Sequence, residues 1–104
     1  MFDKIFEAQQ KAEEAKQRLS TISVSAEVEN GAIEIQATAD KKIQSINIKE
    51  DFFAEASREE LEELLTVAIN KVLEKAESVS NAEMSAVTQQ MMGGLGDLGS
   101  LFGK

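Results

Sequence analysis

Four basic side chains near the start of the chain have the types and spacing needed to bind a polyanion. They are Lys4, Lys11, Lys16 and Arg18. On a helix, Lys4, Lys11 and Arg18 recur every seven residues and lie along one side, whereas Lys16 lies well away from them. We call Lys4, Lys11 and Arg18 the basic ridge. Because a phosphate backbone is bound by clustered Lys and Arg, this ridge could lie against nucleic acid.

The same bases also have a purely structural interpretation. Glu7 precedes Lys11, and Glu14 precedes Arg18, by four residues, which is the spacing of stabilising ion pairs on a helix. The ridge would then serve only to keep the helix solvated. Further bases occur in two short pairs, Lys71 with Lys75 and Lys41 with Lys42, but each pair is a weak signal alone. The residues by themselves leave both interpretations open.

The sequence does not predict an enzyme. The chain has no histidine and no cysteine, so it lacks the commonest general base and all thiolate ligands. Glu59, Glu62 and Glu63 resemble a metal cluster, but such acids are typical of the solvated start of a helix, where the helix dipole favours negative charge. The glycines near the C-terminus neither follow a strand nor precede a helix, as a phosphate-binding loop requires. We expect no catalytic residue, no metal site and no cofactor.

Composition bounds the remaining classes of function. The chain has 104 residues, enough for one domain, and a net charge of −8. An acidic chain is unfavourable for binding nucleic acid, so the charge counts against the basic ridge as a binding surface. The sequence has no apolar run of the roughly 20 residues that a membrane span needs, and its first residues are charged, unlike a signal peptide. We therefore expect a cytoplasmic protein without a membrane partner.

Strands are predicted in the first half of the chain, where apolar and polar residues alternate so that one face is buried and one is wet. They are expected near residues 22–29, 32–39 and 42–49. Asn30-Gly31 is a strong hairpin signal because both residues tolerate positive φ, and Asp40-Lys41 is a weaker turn. These short connections make all three strands antiparallel.

Helices are predicted on both sides of the strands, over residues 2–20 and 57–91. The first has a narrow, alanine-rich apolar stripe, which continues just past it and is formed by Ile5, Ala8, Ala12, Ala15, Leu19 and Ile22. The second begins with the capping pair Ser57 and Glu60 and has a broad face of Leu, Ile, Val and Ala that is wide enough to cover the sheet.

This order of elements predicts a single α+β domain over residues 1–91. Its pattern is α-β-β-β-α, with a three-stranded antiparallel meander in a two-layer subunit. Residues 92–104 hold five glycines among Leu and Phe, so we expect a flexible Gly/Leu-rich tail.

Three stretches together resemble the YbaB/EbfC family of small bacterial nucleoid-associated proteins. They are "EAQQKAEEAKQRL", "VENGAIEIQATADKKIQSINI" and "LEELLTVAINKVLEKAESV", and the resemblance covers roughly Phe2 to Val87. It implies a tight homodimer with the helices packed between two sheets and with protruding N-terminal helices. It also implies DNA binding with little sequence preference, and a role in nucleoid organisation and gene regulation. The residues it implies for DNA binding are Lys4, Lys11, Lys16 and Arg18.

A dimer would also supply the core that one subunit lacks, because a lone meander with one helix is marginal. We expect its interface to include Ile33, Ile35, Leu65, Ile69 and Val72. The sheets would then set the spacing of the two basic helices. Since two copies carry about −16 charges, binding of double-stranded DNA is expected to be weak and strongly dependent on salt.

An alternative function is a protein-interaction or adaptor module that does not bind DNA directly. The acidic surface favours it, as does the apolar tail segment "LGDLGSLF", which could contact a protein partner.

Overall fold

The computed structural model describes the backbone of residues 2–94 and the side chains of residues 3–89, and it confirms the predicted α+β fold. The elements are α1 (Phe2–Leu19), β1 (Ser23–Val28), β2 (Ile33–Thr38), β3 (Ile43–Ile48), α2 (Glu50–Glu55) and α3 (Arg58–Gly94). The strands form one antiparallel sheet in the order β1-β2-β3. Helix α3 includes the first three residues of the predicted tail, 92–94, and residues 95–104 of that tail lie outside the described residues.

The first hairpin differs from the two-residue turn expected at Asn30-Gly31. Val28 pairs with Ile33, so four residues make the connection. Glu29, Asn30 and Gly31 all adopt positive φ, at 53°, 55° and 87°. The Gly31 amide donates to the Val28 carbonyl at 3.2 Å, and the Ala32 amide donates to the Glu29 carbonyl at 3.0 Å. The local hydrogen bonds therefore end the strand one residue before its predicted boundary.

The core lies between the sheet and α3. Ala26, Ile33, Ile35, Ala37, Ala68 and Val72 form its buried centre. Because α3 packs on β1 and β2, the inward side chains of β3 are left partly uncovered. Ile43 and Ile46, which pair with Ala37 and Ile35, remain 42% and 48% exposed. One helix therefore covers about two of the three strands.

Helix α2 was not predicted from the sequence, because a single six-residue element shows no helical periodicity. Glu50 and Asp51 occupy its first turn, where the dipole favours acids, and the Phe53 amide donates to the Lys49 carbonyl at 2.9 Å. Phe52 packs against the core, whereas Phe53 is exposed. The short helix thus adds one aromatic ring to the core at the end of the sheet.

Helix α3 begins as predicted, with the Glu60 amide donating to the Ser57 hydroxyl at 3.1 Å. At 37 residues it is about 55 Å long, far longer than a six-residue strand. The molecule is correspondingly elongated, with extents of 66 × 26 × 17 Å. No helix within residues 2–94 is both long and apolar enough to cross a membrane.

Candidate nucleic-acid interface

The predicted basic helix packs against the C-terminal third of α3. Ala15 and Leu19 of α1 are buried, as is Val87 of α3, and Arg18 of α1 contacts Glu83 of α3. The small alanine side chains allow the two helices to approach closely. We call α1 together with residues 78–94 the arm, and residues 20–77 the body.

The C-terminal end of α1 is fixed to the sheet by backbone hydrogen bonds. The Ala39 amide donates to the carbonyls of Leu19, at 3.1 Å, and Ile22, at 2.9 Å. The Thr21 hydroxyl donates to the Arg18 carbonyl at 2.6 Å, which satisfies one of the last carbonyls of the helix. The base of the arm is therefore well anchored.

The N-terminal half of α1 packs less closely. Ala8 and Ala12 are only half-buried, while Ile5 and Phe6 are 58% and 63% exposed. Burial thus decreases from Ala15 towards the N-terminus, so the first turns of α1 are held mainly by the anchored end of the helix.

Lys4, Lys11 and Lys16 are all exposed on this arm. Among the described residues, the ion pairs are Arg18–Glu83, Lys41–Glu77, Arg58–Glu59 and Arg58–Glu62, so these three lysines have no ion-pair partner there. The pairs expected from the structural interpretation, Glu7 with Lys11 and Glu14 with Arg18, are not formed. The ammonium groups of the three lysines are therefore available to an external anion.

Arg18, the fourth predicted base, is already occupied. Its Nη2 donates to Oε2 of Glu83 at 3.2 Å, which links the last turn of α1 to α3. Sequence reasoning missed Glu83. A signal for it exists, since Glu83 is the one charged residue between positions 78 and 94.

The other predicted basic pair, on α3, is used inside the subunit. Lys71 Nζ donates to the Glu27 carbonyl at 3.2 Å, and Lys75 Nζ donates to the Ser25 carbonyl at 2.8 Å. Ser25 and Glu27 belong to β1, an edge strand of the sheet. These lysines therefore satisfy main-chain carbonyls that the sheet leaves unpaired at this edge.

The acidic residues at the start of α3 form an exposed surface. Glu59, Glu62 and Glu63 line an open cleft with Thr66 and Val67. Arg58 contacts Glu59 at 3.8 Å and Glu62 at 4.0 Å. Over the described residues, no group of three or more acidic side chains is arranged to hold a metal ion.

The residues predicted for a dimer interface fall into two groups. Ile33, Ile35 and Val72 are fully buried within the single subunit. They therefore have no exposed surface for a second subunit and could only pack behind the residues that contact it. Leu65 and Ile69 are half-buried and keep part of their surface exposed. The sequence did not single out the exposed inward residues of β3, since alternation alone cannot show which strand a helix leaves uncovered.

Comparison with known proteins gives consistent results. The model of the YbaB/EbfC DNA-binding family matches residues 1–91. A nucleoid-associated protein of Flavobacterium johnsoniae is 37% identical over 102 residues, covering 98% of this chain and 94% of the relative. A nucleoid-associated protein of Ruminiclostridium cellulolyticum is 38% identical over 94 residues, covering 90% of this chain and 78% of the relative.

A more distant relative shares the same description. It is a nucleoid-associated protein of Neisseria meningitidis, 32% identical over 91 residues, which cover 86% of this chain and 82% of the relative. The matches span both the body and the arm that carries the exposed lysines. With its first helix, antiparallel meander and long last helix, the chain belongs to the YbaB/EbfC DNA-binding family.

Proposed function

We propose that this protein is a dimeric, nucleoid-associated DNA-binding protein of the bacterial cytoplasm that contacts the phosphate backbone through Lys4, Lys11 and Lys16. Membership of a DNA-binding family supports the DNA-binding role, and the descriptions of its relatives support a place in the nucleoid. Its part in nucleoid organisation and gene regulation follows from the same role.

The observation that carries this proposal is the contrast in how the bases are used. The three arm lysines are exposed and unpaired within the described residues, whereas Lys71 and Lys75 of the body donate to main-chain carbonyls. An external phosphate that approaches the arm therefore meets three free ammonium groups. On the described part of the body, the exposed lysines without a side-chain partner are Lys42 and Lys49.

Such contacts predict binding with little dependence on base sequence. A lysine is a compact point charge, and its contacts with phosphate oxygens carry no information on the base. Three lysines on each of two arms allow about six phosphate contacts, so log K should fall with log salt with a slope of about −5 at most. Shape and spacing of the backbone are what two such arms can recognise.

The dimer is proposed on the uncovered apolar surface of the body. Ile43 and Ile46 are exposed on the inward side of β3, and the half-buried Leu65 and Ile69 lie on the helix that packs on the same side. A second copy covering them would remove this surface from water. Sedimentation should then show about twice the 11.4 kDa of one chain, and substitution of Ile46 by Ser should shift the equilibrium towards the monomer.

The decisive experiment compares two variants with the same change in charge. Lys4→Glu/Lys11→Glu reverses two charges on the arm, and Lys42→Glu/Lys49→Glu reverses two exposed charges on the body. We expect the arm variant to lose roughly a hundredfold or more in DNA affinity. The magnitude of its salt slope should decrease by about 0.9 for each lost contact. The body variant should lose only the small long-range contribution of net charge.

Fluorescence anisotropy with a labelled duplex, at several salt concentrations, measures both quantities. Equal losses in the two variants would show that net charge, and not the arm, governs binding. Circular dichroism and sedimentation of both variants check that the fold and the dimer are kept.

A second candidate function is the protein-interaction module, and one observation favours it. Val67 is exposed among Glu59, Glu62 and Glu63, a surface suited to a basic partner with an apolar residue at its centre. The tail, residues 92–104, is expected to contribute to contact with a protein partner, and its residues 95–104 lie outside the described part of the chain. Capture of a partner that survives nuclease treatment and is lost on Val67→Ser would favour this function over DNA binding.

A further inference from the structure

Arg18 and Glu83 form the one ion pair that joins the arm's two helices among the described residues. The Nη2–Oε2 distance is 3.2 Å, and the two side chains are 53% and 30% exposed. The residues are 65 positions apart in the chain, so the contact is tertiary and not a property of either helix alone. Leu19, next to Arg18, is buried, and its carbonyl accepts the Ala39 amide.

The position of Glu83 in the sequence is unusual. Residues 78–94 contain no other charged side chain, while residues 58–77 of the same helix contain six acids and three bases. This stretch, uncharged except for Glu83, forms the α3 side of the arm. Its single carboxylate is the group that meets Arg18, so this part of α3 offers α1 one electrostatic contact and otherwise only packing.

The location of the pair makes the direction of the arm sensitive to it. Arg18 is in the last turn of α1, and Lys4 lies 14 residues away, about 21 Å along the helix axis. A tilt of roughly 10° at Arg18 would move Lys4 by about 4 Å, which is close to the ~3.4 Å rise between successive phosphates of one DNA strand. Since packing weakens towards Ile5 and Phe6, contacts near Arg18 have the largest effect on where the lysines lie.

We propose that Arg18 is a positioning residue, which Glu83 holds so that α1 keeps a fixed direction, and that it is not a phosphate contact. The part of this inference that concerns DNA rests on the proposed function. The part that concerns the direction of α1 stands on the geometry alone and has its own test.

The direction of α1 can be measured without DNA. The chain has no cysteine, so spin labels can be attached at Gln10→Cys on α1 and Asn47→Cys on β3, both exposed. Mixing with a large excess of unlabelled chain ensures that a labelled dimer carries both labels on one subunit, so the measured distance is within that subunit. We expect Glu83→Gln and Arg18→Met each to broaden the distance distribution, and the double variant to broaden it no further.

Two further variants make the distance measurement decisive. The exchange Arg18→Glu/Glu83→Arg restores an ion pair in the opposite sense, so it should return the narrow distribution. Glu13→Gln, which removes an exposed carboxylate of α1 with no ion-pair partner among the described residues, should leave the distribution unchanged. Distributions that stay narrow in Glu83→Gln and Arg18→Met would overturn the proposal.

DNA titrations separate positioning from phosphate contact. We expect Arg18→Met and Glu83→Gln to weaken binding alike, by about twofold to fivefold, with an unchanged salt slope. Lys11→Met, by contrast, should reduce the magnitude of the salt slope by about 0.9 per contact. Arg18→Lys, which keeps the charge near Glu83, should recover most of the affinity. If Arg18→Met reduces the magnitude of the salt slope and Glu83→Gln tightens binding, Arg18 contacts phosphate and the proposal is wrong.

If the unaltered protein does not bind DNA, the proposed function fails. The distance measurements alone then decide the inference about the direction of α1.

Discussion

The arm and the body of this protein differ sharply in charge. The arm holds five acids and four bases, whereas the body holds thirteen acids and six bases. The net charge of −8 is therefore concentrated in the body. The arm can therefore present a nearly neutral surface to a polyanion although the chain as a whole is acidic. Repulsion by the acidic body disfavours DNA that approaches from the side of the body.

The two regions also differ in how they are packed. The body buries Ile33, Ile35 and Val72 completely, whereas the described part of the arm buries Ala15, Leu19 and Val87. Bulky side chains contribute more free energy of folding, since the contribution grows with the apolar area removed from water. The body thus supplies most of the stability, and the arm supplies the exposed lysines.

The largest effect expected from this difference is on stability, with Ile35→Ala in the body. Ile35 is fully buried at the centre of the sheet, so truncation leaves a cavity and should lower the free energy of unfolding by about 2–5 kcal/mol. Urea denaturation followed by circular dichroism measures the change. Gln36→Ala, the exposed neighbour on the same strand, is the control and should change stability far less; similar losses in both would contradict a core centred on Ile35.

A smaller loss is expected in the arm from Ala15→Leu. Ala15 is fully buried where α1 meets α3, so a larger side chain should force the helices apart at a cost of about 1–3 kcal/mol. DNA affinity should fall as well, because the lysines move with α1. Ala86→Leu, at an exposed position of α3, is the control. An unchanged affinity in a destabilised Ala15→Leu variant would show that the direction of α1 does not matter for binding.

Much of the fold follows from local patterns in the sequence. Alternation located the strands to within one or two residues, and Ser57 with Glu60 located the start of α3. Helix α2 could not be predicted because a short helix leaves no periodic pattern. The four-residue hairpin loop depends on the positive φ of Glu29, which is uncommon for a residue of that type.

The candidate site was predictable only in part. The exposure of Lys4, Lys11 and Lys16 follows from their polar positions on α1, but the partner of Arg18 lies 65 residues away and depends on how the two helices pack. The same is true of Lys71 and Lys75, whose carbonyl partners lie on β1. Local spacing cannot show which bases a tertiary contact has already occupied.

The charge difference predicts an effect on association rates. Glu55, Glu63 and Glu74 are exposed body acids without ion pairs among the described residues. Changing all three to Gln should speed association with DNA a few-fold at low salt, because repulsion by the body falls. Stopped-flow measurements should show the gain disappearing near 1 M salt, where the Debye length is about 3 Å. A gain that persists at high salt would mean that these carboxylates act at contact range, against a purely long-range role of the body.

The smallest effect is expected from the lysines that the body uses internally. Lys71→Met/Lys75→Met removes the hydrogen bonds to the Glu27 and Ser25 carbonyls but keeps most of each side chain's apolar length. Both lysines are exposed, so we expect the free energy of unfolding to fall by only about 1 kcal/mol. The salt slope of DNA binding should not change, since neither ammonium group meets phosphate. A decrease of about 0.9 per lysine in the magnitude of the salt slope would show that both lysines contact phosphate in the DNA complex and not the carbonyls of β1. The body would then be a second binding surface, and the division of roles between body and arm would not hold.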